Sequence, residues 1–390
     1  MKSLKIVSVV GARPNFVKIA PLIREMKKRR SIVNVLVHTG QHYSVYMSRA
    51  FLREFGLSRL IALNVGPLTP KRQMIEIKKR FRKILLKERP DLVIVVGDVN
   101  STLACALTAH SLKIKLAHIE AGLRSFDRTM PEERNRVITD SVSDLLFTTE
   151  PSGRRNLLNE GIDPKKIFFT GNIMIDSLVA HLKDAQKRDV KTGLGLKSGG
   201  YAVLTLHRPS NVDSSKRLSK IIRTLSCVSK RIKIVYPAHP RTVKMLKRFG
   251  LMKEIKRIPG LLLTRPMGYI DFLSLMKDAK FVMTDSGGMQ EETTYLGIPC
   301  FTMRKNTERP ITVTRGTNRI VGGDTKRLLR LIDRLPPGRS AGARRPKFWD
   351  GMTARRIVDV LLRGENGSSC GSSCSKARTL LQSPVKPIQG

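Results

Sequence analysis

The stretch LVIVVGDVNSTLACALTAHSLKIKLAHIEAGLR, residues 92–124, contains two apolar runs separated by one amphipathic segment. Residues 92–97 and 115–120 have the composition of buried strands, and residues 101–112 have that of a helix. A strand, a helix and a second strand in this order predict a parallel βαβ unit.

The same alternation extends along the chain in both directions. Further strand-like runs occur at residues 5–10, 33–38, 145–148, 202–206, 233–237 and 281–284. Helical patterns occur at residues 14–29, 45–55, 131–142, 152–160, 241–249, 288–296 and 353–362. Because residues 183–200 are polar and the alternation restarts after them, the sequence predicts two doubly wound α/β domains.

The pattern gives the following domain boundaries. Residues 1–175 form an amino-terminal Rossmann-like domain and residues 176–350 a second Rossmann-like domain. Residues 351–364 form a helix expected to pack back on the first domain. Residues 365–390, which include GENGSSCGSSC, have the composition of a flexible tail.

The composition restricts the classes of partner. The formal net charge is +42, but the basic residues lie in separated segments such as 27–30, 78–89 and 244–257, as expected for the exposed faces of several helices. Aromatic residues make up only 5% of the chain, which disfavours a base-stacking platform. We therefore expect a basic surface on a protein that binds small anions, with no specific nucleic-acid binding.

The amino terminus and the cysteines indicate the compartment. The first apolar run is too short to span a membrane and has no cleavage site. Five cysteines at irregular spacing do not fit a disulfide framework. A cytoplasmic protein without membrane insertion is expected.

Polar residues follow several strands of the first domain, where parallel sheets bind ligands. The turn at residues 11–15 precedes a helix, so its free N–H groups and Arg13 could bind phosphate. A purely structural turn explains the same residues equally well. Asp98 could be a helix cap or a site carboxylate. Glu120 ends a strand and Glu132 begins a helix, so the three acids should meet at one rim and could serve acid/base chemistry.

The second domain has similar turns. His207 and His239 each follow a strand, and two such turns beside arginines favour a phosphate-binding role over a structural one. The segment TDSGGMQEE, residues 284–292, leads from a strand through Ser286 into a helix whose free N–H groups could bind a diphosphate. Glu292 could accept the hydroxyls of a ribose.

Motifs of other enzyme classes are missing from the sequence. There is no GxxxxGK[ST] loop, no HExxH pair and no clustered Cys/His ligand set. We therefore expect neither a metal nor another cofactor.

The combined motifs resemble the non-hydrolysing UDP-N-acetylglucosamine 2-epimerases. The blocks that carry the resemblance, in the family's order from residue 5 to residue 362, are GARPNFVKIAPL, TGQHY, GDVNSTLA, HIEAGLRSFDRTMPEERNR, GNIMID, LHRPSN, HPRT, TDSGGMQEET and ERPITV. The resemblance implies a glycosyltransferase-B-like fold, an active site in the interdomain cleft and a cytoplasmic homodimer that serves cell-surface polysaccharide biosynthesis.

The resemblance also implies a reaction without NAD. UDP-N-acetylglucosamine and UDP-N-acetylmannosamine interconvert through loss of the C2 proton and of UDP, giving a 2-acetamidoglucal, followed by re-addition. UDP must stay trapped meanwhile, so we expect domain closure about a hinge near residues 171–177 and in the loops before residue 353.

The resemblance assigns roles to individual positions. The catalytic positions are Asp98, Glu120, Glu132 and His207. The UDP-sugar-binding positions are Arg13, Arg136, His239, Ser286, Gly287, Gly288 and Glu292. Candidates for binding a second, regulatory UDP-N-acetylglucosamine are Gln41, His42 and Arg208. Which carboxylate removes the proton stays open.

Two departures from the family pattern concern sugar specificity. Many members have Glu where this chain has Asn15, and the segment between Arg124 and Pro131 is shorter than usual. A related epimerase acting on a 3-acetamido or uronic-acid sugar is one alternative, and a UDP-sugar transferase of the same fold is another. The acids around Glu120 and Glu132 favour epimerisation.

Overall fold

The computed structural model describes residues 3–40, 55–57, 60–336 and 345–363. In this part of the chain, every strand pairing is parallel, and the strands form two sheets. The first sheet has the order β3-β2-β1-β4-β5-β6-β7 and contains β1 (Leu4–Val10), β2 (Ile32–His38), β3 (Ile61–Ala62), β4 (Leu92–Val96), β5 (Lys115–Ala121), β6 (Leu145–Thr148) and β7 (Ile167–Phe169).

The second sheet has the order β10-β9-β8-β11-β12-β13. It contains β8 (Tyr201–Thr205), β9 (Lys233–Pro237), β10 (Leu261–Thr264), β11 (Phe281–Thr284), β12 (Cys300–Thr302) and β13 (Asn318–Ile320).

Helices connect the strands of both sheets. Around the first sheet they are α1 (Arg13–Met26), α2 (Pro70–Glu88), α3 (Asn100–Ser111), α4 (Pro131–Ser141), α5 (Pro151–Asn159) and a 3₁₀ turn (Pro164–Lys166). The remaining helices are α6 (Ile173–Lys187), α7 (Val190–Gly193), α8 (Pro209–Val212), α9 (Ser215–Ser229), α10 (Pro240–Arg248), α11 (Met252–Lys256), α12 (Tyr269–Lys277), α13 (Gly287–Leu296), α14 (Pro310–Thr314), α15 (Thr325–Asp333) and α16 (Thr353–Arg363).

The apolar strands are buried on both faces, which is why their sequences are continuous rather than alternating. All five residues of β4 are buried. Ile94 packs in the cluster that contains Phe16 of α1, whereas Val93 packs in the cluster that contains Phe81 of α2. The predicted class, two Rossmann-like α/β domains, is therefore confirmed.

The eight strands predicted from sequence agree with the structure to within one residue at each end. The predicted helix at residues 45–55 lies outside the described residues except for Phe55. Within the described residues, no helix is both long and apolar enough to cross a membrane.

The last helix, α16, packs against the first domain. Ala354, Ile357, Val358 and Leu361 belong to the same apolar cluster as α1. Asp176 of α6 accepts hydrogen bonds from the backbone N–H groups of Thr353 (3.1 Å) and Ala354 (2.7 Å). These N–H groups at the start of α16 have no acceptor within the helix, so Asp176 supplies one. Burial raises the pKa of the Asp176 carboxyl to about 6. The boundaries at residues 175 and 350 stay predictions.

Gly171 lies between β7 and α6, and it should be difficult to replace. Its φ is +98°, and a Cβ there would lie 2.8 Å from Cβ of Phe348. Left-handed backbone costs about 1–2 kcal/mol for a non-glycine residue, and overpacking adds roughly 1–3 kcal/mol. We expect Gly171→Ala to lower the free energy of unfolding by about 3 kcal/mol, measured by urea denaturation.

Gly161→Ala is the matched control. Gly161 also has a positive φ (+80°), but a Cβ there would meet no atom within 4 Å. Its loss should be limited to the backbone contribution of about 1–2 kcal/mol. Equal losses in the two variants would contradict the proposed clash with Phe348.

Candidate active site

The carboxyl ends of the two sheets face each other across a cleft. Asp98 follows β4, Glu120 lies in β5 and Glu132 lies in the first turn of α4. On the other side, the turn after β8 carries Arg208, whose Nη1 lies 3.0 Å from Oε1 of Glu132. The neighbouring His207 therefore lies on the same cleft as the three acids.

Asp98 is held as a carboxylate by basic side chains. Arg136 of α4 donates to Oδ2 of Asp98 and to the carbonyl oxygen of Leu123 (3.1 Å). Burial acts to raise the pKa of Asp98, but Arg136 and Lys18 outweigh it, and the pKa lies below its usual value. A buried charge of this kind is stable only with such partners.

Glu120 combines a strained backbone with an incompletely bonded side chain. Its φ is +69°, and its side chain is 2% exposed. Lys18 of α1 is ion-paired with Oε2, whereas Oε1 lies 4.0 Å from Nη2 of Arg309 and accepts no hydrogen bond from the described residues. Strain and an available oxygen on a buried carboxylate are typical of functional sites.

Arg309 neutralises a second set of buried acids on the opposite side of the cleft. Its Nε donates to Oε1 of Glu291 (2.8 Å), and its Nη1 donates to Oε2 of Glu308 (2.7 Å). Burial raises the pKa of Glu291. Burial also acts to raise the pKa of Glu308, but Arg309 and Arg208 outweigh it and lower that pKa.

His207 is oriented by a buried carboxylate that sequence reasoning did not single out. Asp285 follows β11 and is 0% exposed. It accepts hydrogen bonds from the backbone N–H of His207 (3.1 Å), from that of Arg208 (2.9 Å) and from Nδ2 of Asn211 (3.0 Å). Nδ1 of His207 lies 3.1 Å from Oδ1 of Asp285. Burial acts to raise the pKa of Asp285, but the histidine and other donors outweigh it.

The start of α13 packs closely against Arg309. Ser286 is the N-cap residue, but its side chain does not bond to the helix. A Cβ at Gly287 would lie 2.6 Å from Nη1 of Arg309, so only glycine leaves room for that guanidinium. A Cβ at Gly288 would lie 3.3 Å from the methyl group of Met174, which is tight but less severe. Free N–H groups and a cation at one helix start favour an anion.

Glu292, one turn further along α13, is buried and accepts a hydrogen bond from the Tyr269 hydroxyl (2.8 Å). Burial raises its pKa to about 7. His239, at the start of α10, lies with its ring centroid 5.6 Å from that of His207. These two positions extend the site along the second sheet.

Three of the positions singled out from sequence cannot be placed, and the regulatory role predicted for Arg208 stays a prediction. Gln41 and His42 lie outside the described residues, as does the side chain of Arg13. Arg208 lies within the cleft itself, 4.0 Å from Glu308 as well as beside Glu132. Among the described residues, no group of three or more potential metal ligands occurs.

Two basic residues of the site were missed by sequence reasoning. Lys18 was hidden in the helix of the GARPNFVKIAPL block, where a lysine is usually an exposed residue. Arg309 lies within the ERPITV block, where the sequence assigns it no role of its own. The structure reveals both residues because their basic side chains are buried, with 8% exposure for Lys18 and 5% for Arg309.

Comparison with known proteins identifies the family. Residues 24–362 match the family model described as UDP-N-acetylglucosamine 2-epimerase. A UDP-N-acetylglucosamine 2-epimerase homolog of Methanococcus maripaludis is 42% identical over 361 residues, which is 92% of this chain and 99% of that protein. The chain therefore belongs to the UDP-N-acetylglucosamine 2-epimerase family, and it is an isomerase.

A solved structure and a second relative bear on the ligand. The chain is similar to the Methanocaldococcus jannaschii UDP-GlcNAc 2-epimerase in complex with UDP-GlcNAc and UDP, with a TM-score of 0.87, 41% identity and coverage of 93% and 100% of the two chains. A Pseudomonas aeruginosa UDP-2,3-diacetamido-2,3-dideoxy-D-glucuronate 2-epimerase is 36% identical, with coverage of 92% and 100%. These neighbours also bear out the predicted glycosyltransferase-B-like architecture.

Arg309 should be essential to stability because removing it leaves two buried carboxylates without their counter-charge. Breaking a buried ion pair costs about 3–5 kcal/mol. We expect Arg309→Met to lower the unfolding free energy by this amount. Without the arginine, the carboxyl pKa values rise in the folded state, so the loss should be larger at about pH 8 than at about pH 5.

Arg231→Met is the control, since Arg231 and its partner Asp333 are 40% and 53% exposed. Exposed ion pairs contribute at most about 1 kcal/mol. Denaturation of both variants at the two pH values gives the comparison. A pH-independent loss in Arg309→Met would show that charge compensation is not the cause.

Proposed function

We propose that the protein interconverts UDP-N-acetylglucosamine and UDP-N-acetylmannosamine without hydrolysis. The observation that carries the proposal is the cleft in which Asp98, Glu120 and Glu132 face the His207 turn and the start of α13. The 3.0 Å contact between Arg208 and Glu132 fixes this juxtaposition. The relative solved with UDP-GlcNAc and UDP supports the choice of ligand.

The nucleotide would bind the second domain. The N–H groups of Gly287 and Gly288, together with the Ser286 hydroxyl, are suited to a diphosphate at the start of α13. Arg309 packs against that start and offsets the negative charge of the neighbouring Glu291 and Glu308. The carboxylate of Glu292 would accept the ribose hydroxyls, and we expect Arg13, Arg136 and His239 to contribute to UDP-sugar binding.

The sugar would lie against the acids of the first domain. One carboxylate takes the C2 proton, the C1–O bond breaks, and UDP leaves with the electron pair, giving the 2-acetamidoglucal. In the second half-reaction, an acid returns a proton to the other face of C2, and a UDP oxygen bonds to C1. His207 and the neighbouring arginines would stabilise the charge of the departing diphosphate.

The three candidate acids differ in ways that suit two faces of one sugar. Asp98 stays charged because Arg136 and Lys18 lower its pKa, whereas Glu132 is about one-third exposed and bonds to Arg208 across the cleft. Glu120 has one buried oxygen that accepts no hydrogen bond from the residues that the structure describes. A cytoplasmic homodimer belongs to this proposal.

A second candidate is the same reaction on a diacetamido glucuronate, which the Pseudomonas aeruginosa relative favours. Both substrates contain the UDP and the 2-acetamido group that this mechanism needs. The ratio of kcat/KM for the two UDP-sugars discriminates between them, and a ratio that favours the uronate would replace the first candidate.

Incubation with UDP-N-acetylglucosamine in deuterated water tests the reaction. We expect deuterium at C2 in both epimers, with free UDP only in traces, as detected by NMR. Asp98→Asn should slow C2 exchange by about 10²–10⁴-fold, the usual contribution of a positioned acid or base. The exposed Asp163→Asn should exchange at the wild-type rate. UDP release in proportion to sugar consumed would instead identify a hydrolase.

Glu292 should make UDP binding depend on pH. Its pKa is about 7, and only the carboxylate accepts two ribose hydroxyls, so affinity should rise as the pH increases through about 7. Glu292→Gln should bind UDP roughly 10–100-fold more weakly at about pH 8, since a hydrogen bond to a charged group contributes about 1.5–3 kcal/mol.

Titration calorimetry of both proteins between about pH 6 and pH 8 gives the measurement. UDP itself titrates in this range, so the difference between wild type and Glu292→Gln is the relevant quantity. The exposed Glu254→Gln serves as control. A difference that stays constant with pH would rule out titration of Glu292.

A further inference from the structure

We propose that Asp140 is a positioning residue that anchors all three candidate acids to one buried carboxylate, a role that rests on the proposed function. Asp140 lies near the end of α4, is 0% exposed, and is not among the positions that the family resemblance assigns to substrate. Its contacts reach the turn that carries Asp98 through His118, the end of β5 beside Glu120, and the helix that carries Glu132.

The connection to Asp98 passes through His118. Oδ1 of Asp140 lies 2.6 Å from Nδ1 of His118, and Nε2 of the same ring lies 2.9 Å from the carbonyl oxygen of Gly97. His118 is fully buried in β5, so the two contacts fix the ring from both ends. The Gly97 carbonyl belongs to the peptide that leads into Asp98, and its position sets the direction of that side chain.

The connection to Glu120 passes through the backbone. Oδ2 of Asp140 accepts a hydrogen bond from the N–H of Gly122 (3.1 Å), two residues after Glu120. The pairing of β5 with β6 shifts register between Ile119 and Ala121, so Glu120 occupies a β-bulge with φ +69°. Bulges re-aim side chains at sites, and a strained one persists only when its surroundings hold it.

The connection to Glu132 is the helix itself. Glu132 lies in the first turn of α4, and Asp140 fixes the other end of that helix to β5. Arg136, between them, donates to Asp98 and to the Leu123 carbonyl. A shift of α4 would therefore move Glu132 and the counter-charge of Asp98 together.

Asp140 has enough donors to remain charged in this position. Arg124 donates from Nη2 to Oδ2 (2.7 Å) and also binds Glu160. Burial acts to raise the pKa of Asp140, but His118 and Arg124 outweigh it, and the pKa lies below its usual value. Asp140 thus accepts hydrogen bonds from three donors. Each donor lies on a segment that shapes the side of the cleft with Asp98, Glu120 and Glu132.

Asp140→Asn tests the role because it keeps the size but replaces one acceptor oxygen with an N–H donor. We expect kcat to fall by about 10²-fold, the effect of displacing a reacting group by roughly 1 Å. The affinity for UDP should change less than about 3-fold, because most of the groups proposed for the diphosphate and the ribose, at the start of α13 and at Glu292, lie on the second domain. Free UDP released per epimerisation should increase, because misplaced acids return the intermediate more slowly.

Two further variants provide the comparison. Glu160→Gln changes the other carboxylate partner of Arg124, which is 34% exposed, and should keep the wild-type kcat. His118→Gln should reduce kcat and raise UDP release in the same direction as Asp140→Asn. Thermal unfolding and UDP titration establish the folded fraction of each variant, so that kcat is expressed per folded site.

A purely structural role would lower the folded fraction but leave kcat per folded site and the UDP-release ratio unchanged, and that result overturns the proposal. If the wild type itself exchanges no C2 proton, the proposed function fails instead. In that case, crystal structures test the positioning role independently of activity. Displaced Asp98 and Glu120 side chains in Asp140→Asn support the role, and unchanged positions refute it.

Discussion

Charge compensation between buried carboxylates and buried cations is the constraint on which the site depends. Arg309 contacts Glu291 and Glu308, while Lys18 and Arg136 pair with Glu120 and Asp98. Removing such charges from water is costly unless each has a partner at close range. The chain can therefore keep several carboxylates ionised where apolar strands end, at positions suited to proton transfer and to a diphosphate.

The same charge compensation also links the two domains. Arg208 donates to Glu132 across the cleft, and Arg309 approaches Glu120 from the second domain. Neither domain alone neutralises all of these groups. Neutralisation of the acids therefore requires both sheets, with their carboxyl edges in contact.

Much of this could be predicted from the sequence, because parallel strands buried on both faces leave continuous apolar runs and their polar ends mark the ligand edge. β4 and the turn with Asp98 are examples. Very short strands such as β12 (Cys300–Thr302) carry too little periodicity to be found. The buried roles of Asp140 and Asp285 were also missed, since a polar residue at a helix or strand end resembles a cap until its partners from distant segments are known.

The path of the chain between the two sheets has a mechanical consequence. The polypeptide leaves the first sheet after Gly171 at the start of α6, and it returns to it with α16, whose first N–H groups bond to Asp176 of that same helix. Both passages therefore lie side by side. We expect two adjacent crossings to permit rotation of one domain about the line that joins them and to restrict twisting and sliding in other directions.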